Sequence, residues 1–421
     1  MDKINNPVYV RRLSLLCAIT YFASYLTRIN FAAVTVEIIR EFGWDKSGIS
    51  AVTTALFITY GAGQLISGWL GDHTRPDRLM TVGLFSSASL NIILLLVMQF
   101  VPSLPLMTIV WGLNGFAQSM MWPPIVRILT SACQKKDYQN ATVIVSWGSS
   151  IGTIAVFLLA WFCTEVIDWR MLFIICPASA VVAAIIWIIG SAKIREYAAS
   201  PENAALIPTE QTDQTPLPAE KSEHKKMPMG LCVLLGIVLL AVIIQGALRD
   251  SIQSWLPNFL GDTFSLESGS ALLTSVILPI FTTLTYPIVL AYYRRFFKSE
   301  VTCAATIFAL STVSAVLLYF ISGVNPIISV LLLSLIATCM HGTNFLIIGL
   351  LPKKFERYGN VSTISGIINS AVYVGSSVSI WGIAVIAENY GWSATIITWA
   401  VLAAIGVVLC LSVKPKLKKY F

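Results

Sequence analysis

The sequence predicts an all-α membrane protein with twelve transmembrane helices in two six-helix halves. Hydrophobic residues make up 56% of the 421 residues, charged residues make up 12%, and the mean hydropathy is +0.77. A helix needs about 20 apolar residues to cross a bilayer, and the chain contains twelve runs of that kind. A single polar, Pro-rich stretch interrupts these runs near the middle of the chain.

The twelve apolar segments follow one another in order along the chain. Their predicted cores are 13–39, 47–70, 79–101, 104–131, 140–164, 170–191, 229–260, 268–292, 301–322, 326–351, 361–387 and 392–413. The polar stretch 197–228 lies between the sixth and seventh segments. We therefore expect residues 1–196 and 229–421 to form two halves joined by a cytoplasmic linker.

Lys and Arg residues are concentrated on one side of the predicted helices. That side contains 23 of the 28 Lys and Arg residues, whereas the opposite side contains three. Cytoplasmic loops keep positive charge, so we expect both termini in the cytoplasm and the protein in a bacterial inner membrane. Anionic lipid headgroups account for the net charge of +7, and no nucleic-acid partner is expected.

Arg28 and Arg249 are the two basic residues inside the predicted membrane segments. Placing a guanidinium in a bilayer costs at least about 2.5 to 3.5 kcal/mol, so each marks a candidate functional site. Each lies 11 residues before the predicted end of its segment, roughly 16 Å at about 1.5 Å per residue and thus near mid-membrane. Since the first and seventh segments are counterparts, we expect the guanidiniums to face each other between the halves.

Asp250 is the one acidic residue that we place inside the membrane. Consecutive helix residues point to different faces, so we expect Asp250 not to pair with Arg249. Two cations sharing one acid indicate an anionic ligand, with an ion pair to a distant helix as the alternative. A planar Arg fork can hold a phosphate through two parallel bonds, and a phosphate charge of about −1.5 to −2 roughly neutralises two arginines.

The loop after the second segment contains Gly68, Asp72, His73, Arg75 and Arg78. It resembles the loop signature of the major facilitator superfamily, although His73 stands where that superfamily usually has Arg. An Asp at a cytoplasmic helix end can make charge-assisted bonds to neighbouring helix ends. We therefore expect Asp72, Arg75 and Arg78 to act in gating, with an ordinary charged turn as the alternative.

Three stretches resemble the organophosphate:phosphate antiporter family of that superfamily, and the resemblance extends over most of the chain. They are Tyr21–Phe31, Asn114–Arg127 with its Trp-Pro-Pro motif, and Arg249–Pro257. The resemblance implies that Arg28 and Arg249 bind the phosphoryl group.

The resemblance also implies that four tyrosines line a central cavity, which are Tyr21, Tyr25, Tyr60 and Tyr373. A phenol can donate to a phosphate oxygen and present a ring face to a carbon skeleton, whereas helix packing is the alternative for each ring. The other candidate substrate-binding residues are Gln64, Gln118, His341 and Asn344.

The chain departs from these relatives at two positions where they carry lysine, namely Ile29 and Gln64, and its fifth segment has no His. A less positive cavity still accommodates a single phosphoryl group. The Trp-Pro-Pro motif followed by Arg127 resembles the hexose-phosphate branch of the family. We therefore favour a hexose phosphate such as glucose 6-phosphate, with glycerol 3-phosphate next.

These inferences together predict a monomeric secondary transporter that exchanges an organophosphate for inorganic phosphate by alternating access. One alternative is a proton- or sodium-coupled symporter of organic anions such as hexuronates, with Asp250 as the coupling site. Another is a sugar-phosphate sensor that does not transport. The sequence shows no P-loop, metal-ligand cluster or nucleophile–base pair, so no enzyme, cofactor or metal is expected.

Overall fold

The computed structural model of the chain describes residues 3–44, 46–205, 227–265, 277–417 and 420. All regular structure in these ranges is helical. The α-helices are α1 Pro7–Ala33, α2 Thr35–Phe42, α3 Lys46–His73, α4 Pro76–Phe100, α5 Leu104–Gln118, α6 Trp122–Ala132, α7 Lys135–Val166, α8 Leu172–Ala198, α9 Pro201–Ala205, α10 Met229–Phe264, α11 Ile277–Phe296, α12 Glu300–Ile321, α13 Pro326–Asn344 and α14 Val361–Leu417. Shorter helical turns are Trp169–Met171, Phe345–Leu350 and Leu351–Tyr358.

A helix covers at least part of each predicted membrane segment, which confirms the all-α prediction. By length and composition, eight helical spans in the described ranges could cross a membrane. The other four predicted segments correspond to α1, α3, α5 with α6, and α11. The eleventh and twelfth segments lie in the continuous range α14, which consists of two helices separated by a kink at Gly391 (φ 78°, ψ 177°). Residues 268–276 of the eighth segment lie outside the described ranges.

An Asn followed by Pro begins two of these helices. The Asn6 side chain accepts a hydrogen bond from the N–H of Val8 at 2.9 Å. The Asn325 side chain accepts from the N–H groups of Ile327 and Ile328 at 2.9 and 3.2 Å. Proline fits the first helical position because an N–H there has no acceptor within the helix. Local chemistry therefore sets the start of α1 and of α13.

The helix that carries Arg28 ends earlier than predicted. α1 stops at Ala33, because Val34 adopts φ −116° and ψ 18°. Apolar residues continue beyond this point and form the next helix, α2, so hydropathy did not detect the break. Arg28 lies in the last two turns of α1, whereas Arg249 lies close to the centre of α10. The prediction of equal distances from the helix ends is wrong.

The predicted fourth segment, 104–131, is two helices rather than one. α5 ends at Gln118 and α6 begins at Trp122. Two prolines follow Trp122, and a proline has no backbone N–H to donate to the carbonyl group four residues earlier. The first carbonyl group that lacks this donor belongs to Ser119. The helical hydrogen-bond ladder therefore cannot continue through this point.

The described residues form two compact units. The first unit takes its residues from Met1–Thr53, Gly63–Pro228 and Pro352–Gly366, and the second from Thr54–Ala62, Met229–Leu351 and Ile367–Phe421. In the first unit α1 packs against α7 and α8, and α4 packs against α5 and α8. In the second unit α13 packs against α10, α11 and α12. The division of the chain at the polar linker stays a prediction, and residues 206–226 of that linker lie outside the described ranges.

Candidate functional site

Tyr21, Tyr25 and Arg28 lie on one face of α1, because spacings of four and three residues bring side chains to the same side of a helix. The rings of Tyr21 and Tyr25 meet edge to face with their centroids 5.1 Å apart. The guanidinium carbon of Arg28 lies 4.1 Å from the centroid of the Tyr25 ring. The negative face of an aromatic ring attracts a cation, so Tyr25 positions the Arg28 guanidinium.

The same row of side chains continues at the break between α5 and α6. The indole of Trp122 lies 5.3 Å from the ring of Tyr21. Gln64 on α3 is fully buried and donates from Nε2 to the carbonyl of Ser119 at 3.2 Å. This is the carbonyl that loses its helical donor to proline. Gln64 thus stabilises the helix break, and its contact with a substrate stays a prediction.

Six buried polar side chains surround the turn of α1 next to Arg28. Each is at most 1% exposed, and they are Thr27, Asn30, Ser87, Asn91, Asn114 and Gln118. They come from α1, α4 and α5, so the cluster joins three helices. Buried polar groups require hydrogen-bond partners, and a cluster of this kind favours one rotation of α1 over others.

Thr27 and Ser87 are the centre of this polar cluster. Gln118 donates from Nε2 to Thr27 Oγ1 at 2.8 Å and to Ser87 Oγ at 2.7 Å. Asn91 and Asn114 each donate to the backbone carbonyl of Thr27 at 3.0 Å. Sequence analysis missed the cluster, because its members are single uncharged polar residues within apolar runs. The predicted site residue Gln118 is bound here to α1 and α4, and its contact with a substrate stays a prediction.

Arg249 and Asp250 form an ion pair in the second unit. Arg249 donates from Nε to Asp250 Oδ1 at 2.6 Å and from Nη2 to Oδ2 at 2.8 Å. The prediction that these consecutive residues do not pair is therefore wrong. Their Cβ atoms do point to different faces, but the long Arg side chain folds back along the helix and reaches the carboxylate. The side chains are 11% and 17% exposed, respectively, so the pair is only partly buried.

Ser376 on α14 also binds the Asp250 carboxylate. Its hydroxyl donates to Asp250 Oδ2, and its own exposure is 2%. Glycine allows the two helices to approach, since a Cβ added to Gly246 on α10 would lie 2.9 Å from Val372 Cγ1 on α14. Sequence analysis missed Ser376, although a Gly-Ser-Ser sequence indicates a site of close helix packing.

His341 lies within electrostatic range of the same ion pair. His341 on α13 is partly exposed and interacts electrostatically with Arg249 and Asp250. Asn344 lies three residues later at the end of α13 and is also partly exposed. The turn Phe345–Leu350 that follows is π-helical, a geometry that often occurs at functional sites. His341 is thus a predicted candidate within electrostatic range of Arg249, and its contact with a substrate stays a prediction.

Tyr60 and Tyr373 contact each other in the second unit. Their rings meet edge to face with centroids 4.6 Å apart, and the ring of Phe57 lies 6.0 Å from that of Tyr373. Tyr60 is 1% exposed and Tyr373 is 9% exposed. Both rings are therefore packed, and their contact with a substrate stays a prediction.

Asp72 caps the start of α14 within the first unit. It accepts hydrogen bonds from the backbone N–H groups of Ser362 and Thr363 at 3.0 and 2.7 Å. The first N–H groups of a helix have no acceptor within the helix, so a carboxylate is stabilising there. Arg127 Nε lies 3.6 Å from Asp72 Oδ1. The structure thus contains the bonds to a neighbouring helix end, whereas their role in gating stays a prediction.

The two other residues predicted to act in gating differ in their surroundings. Arg75 donates to Asp77 Oδ2 at 2.8 Å, and this hydrogen bond raises the pKa of Arg75 above its ordinary value. Asp77 also pairs with Arg195 on α8. Arg78 is exposed. Asp77, in the first turn of α4, therefore joins α4 to α8, and sequence analysis did not single it out.

Lys353 caps the end of α6 and was counted in the sequence only as a loop charge. Its Nζ donates to the carbonyl groups of Thr130 and Cys133 at 3.1 and 2.7 Å and lies 4.9 Å from the centroid of the Tyr138 ring. A cation is favoured at a helix C-terminus, where the last carbonyl groups have no donor within the helix.

The sequence predicts no metal site, and the side chains that would form one are those of His, Cys, Asp and Glu. Within the ranges that the structure describes, no group of three or more of these side chains could hold a metal ion. The eight Cys residues are free thiols, and all except Cys232 are buried.

Comparison with known proteins adds the family. The family model of the Major Facilitator Superfamily matches residues 17–380. The chain is 26% identical over 402 residues to the glycerol-3-phosphate transporter of Bacillus subtilis (strain 168), covering 89% of this chain and 85% of that protein. It is 29% identical over 150 residues to a "Probable hexose phosphate transport protein" of Chlamydia trachomatis, covering 36% of this chain and 32% of that protein.

A sensor is also among the relatives. The chain is 21% identical over 420 residues to the membrane sensor protein UhpC of Escherichia coli (strain K12), covering 95% of this chain and 91% of that protein.

The fold agrees with this family. The structure of the Escherichia coli fucose:proton symporter FucP matches with a TM-score of 0.71 at 11% identity, covering 96% of this chain and 99% of that chain. The superfamily is non-enzymatic, which confirms the prediction that the chain is not an enzyme. Since the family model matches most of the sequence and the helical fold agrees with it, the chain belongs to the Major Facilitator Superfamily.

Proposed function

We propose that the chain exchanges an organophosphate for inorganic phosphate across a membrane by alternating access. The observation that carries this proposal is that two apolar helices each carry a guanidinium. A neighbouring side chain holds each guanidinium in place. Arg28 on α1 lies over Tyr25, and Arg249 on α10 is bound to Asp250. Arginine suits a phosphoryl group because its planar fork matches the phosphate oxygens and stays charged at physiological pH.

A hexose phosphate is the favoured organophosphate, with glycerol 3-phosphate next. Support comes from the similarity to relatives whose names include hexose phosphate transport and glycerol-3-phosphate transport. Ile29 and Gln64 stand where the resembling family carries lysine, so the positive charge suits one phosphoryl group. Tyr21 and Tyr25 add ring faces and hydroxyl donors beside Arg28, which suit a sugar carbon skeleton.

The proposal includes the organisation predicted from the sequence. The protein is proposed to be a monomer in a bacterial inner membrane. It has two six-helix halves, 1–196 and 229–421, and both termini lie in the cytoplasm. The proposed substrate-contacting residues besides the arginines are Tyr21, Tyr25, Tyr60, Tyr373, Gln64, Gln118, His341 and Asn344. The proposed gating and coupling residues are Asp72, Arg75, Arg78 and Asp250.

Exchange is tested with the purified full-length chain in liposomes. Vesicles preloaded with inorganic phosphate should take up labelled glucose 6-phosphate faster than phosphate-free vesicles. Equal rates would overturn obligatory exchange. Uptake that ignores internal phosphate and collapses with an uncoupler would identify cation-coupled symport instead.

A non-transporting sensor is the second candidate function, because the similarity to UhpC covers almost the whole chain. A sensor binds the sugar phosphate without moving it across the membrane. Counterflow separates the two functions, since a transporter accumulates labelled glucose 6-phosphate against an excess of unlabelled internal substrate. Binding of glucose 6-phosphate without counterflow would favour the sensor.

A further inference from the structure

We infer that Asp250 is an internal counter-anion that competes with the phosphoryl group for Arg249, and that Ser376 positions it for this role. The inference rests on the proposed function, because it assumes that Arg249 binds phosphate. It assigns Asp250 a role in setting substrate affinity.

The geometry of the ion pair carries the first step. Asp250 receives hydrogen bonds from Arg249 Nε and Nη2, which form one edge of the guanidinium. Two oxygens of a phosphate can bind the same edge through two parallel bonds. A phosphoryl group that takes this edge must therefore displace the Asp250 carboxylate.

The second step is that a second helix also holds the carboxylate. Ser376 donates to Asp250 Oδ2 from α14, and Ser376 itself is 2% exposed. The helices meet closely at this point, because a Cβ on Gly246 or on Gly375 would collide with the backbone of the other helix. Asp250 is thus held at the fork by a second helix rather than left to swing freely.

The third step concerns charge. With Asp250 at the fork, the formal charges of Arg249 and Asp250 cancel. A phosphate ester carries about −1.5 to −2 near neutral pH, so it meets no net positive charge at this fork while Asp250 stays ionised in place. His341 also lies within electrostatic range of the pair. Asp250 therefore weakens phosphate binding, which favours release of the substrate after each half-cycle.

The test measures binding of inorganic phosphate to the purified full-length chain by equilibrium dialysis with labelled phosphate. Asp250→Asn keeps the shape of the side chain and removes its charge, so the Kd for phosphate should fall by at least about tenfold, since a nearby negative charge is lost. Ser376→Ala frees the carboxylate and should lower the Kd less, by about threefold. Asp262→Asn removes the same charge from an exposed site on the same helix and should leave the Kd unchanged.

Higher or unchanged Kd values for the Asp250→Asn and Ser376→Ala variants would overturn the inference, because they would mean that Asp250 supports Arg249 or has no part in binding. Ser376→Ala decides the question if the Asp250 variant does not fold. Arg28→Lys and Arg249→Lys separate this result from the proposed function. If both bind phosphate like the unmodified chain, the proposed function itself fails, whereas weak binding by both retains it whatever Asp250→Asn does.

Discussion

Asp72 accepts a hydrogen bond from the backbone N–H of Thr363 at 2.7 Å, across 291 positions of the sequence. Asp72 lies at the end of α3, and Thr363 lies in the first turn of α14. A carboxylate at a helix N-terminus satisfies N–H groups that have no acceptor and interacts favourably with the helix dipole. One side chain therefore stabilises the start of a helix that is distant in sequence.

Replacement of Asp72 by Asn should loosen the start of α14. The neutral amide retains one acceptor oxygen and loses the charge, so the cap should weaken by about 1 kcal/mol. Hydrogen–deuterium exchange of the Ser362 and Thr363 amides should accelerate several-fold, and exchange transport should slow. Asp77→Asn is the control, because Asp77 binds Arg75 and Arg195 instead. Unchanged amide exchange in the Asp72 variant would contradict the capping role.

The polar cluster next to Arg28 should depend on Ser87. Ser87 Oγ lies 2.7 Å from Asn114 Oδ1 and 3.0 Å from Thr27 Oγ1, and it accepts from Gln118. Ser87→Ala leaves these buried groups with fewer partners, so the chain should lose about 1–3 kcal/mol of stability. Thermal unfolding in detergent should show a lower Tm. Ser89→Ala on the same helix, at an exposed position, should leave the Tm unchanged, and equal Tm values for both variants would refute the role of the cluster.

The parts of the fold that could be predicted from the sequence are those set by local chemistry. Long apolar runs predicted the helices, and the Asn-Pro pairs mark the starts of α1 and α13. The end of α1 at Val34 could not be predicted, because hydropathy continues through the break. The two prolines after Trp122 indicate the interruption after Gln118. A hydropathy window alone does not detect it, because the residues on both sides are apolar.

The candidate site also contains some features that the sequence could predict and others that only the structure reveals. The family resemblance put Tyr21, Tyr25 and Arg28 in one candidate site, and their spacing brings them to one face of α1. The Arg249–Asp250 pair depends on side-chain torsions, which residue spacing does not determine. The contacts of Ser376 with Asp250 and of Lys353 with the end of α6 join distant parts of the chain, so only tertiary structure reveals them.

Replacement of Arg28 or Arg249 by Lys should impair phosphate exchange severely. A lysine keeps the charge but offers a point donor in place of the two-pronged fork. Loss of one charge-assisted bond costs about 1.5–3 kcal/mol, which corresponds to about a 10- to 100-fold loss. Arg40→Lys is the matched control, since Arg40 is exposed and paired with Glu37. Wild-type exchange rates in both the Arg28 and Arg249 variants would remove these residues from the site.

Lys353 should keep the end of α6 closed around Cys133. The Lys353 ammonium binds the Thr130 and Cys133 carbonyl groups, and the Cys133 thiol is fully buried. Lys353→Met keeps an unbranched side chain and removes the donor, so the two carbonyl groups lose their partner at a cost of about 1–3 kcal/mol. The end of α6 should then open more often, and maleimide labelling of Cys133, followed by mass spectrometry, should accelerate several-fold.

The same substitution at Lys298, which is exposed, is the control for that experiment and should leave the labelling of Cys133 unchanged. A second readout checks that the effect is local. Labelling of Cys303, a buried thiol of the second unit, should stay slow in the Lys353 variant, because its helix does not depend on this cap. Faster labelling of both thiols would indicate general unfolding, and no change at Cys133 would show that the cap does not stabilise α6.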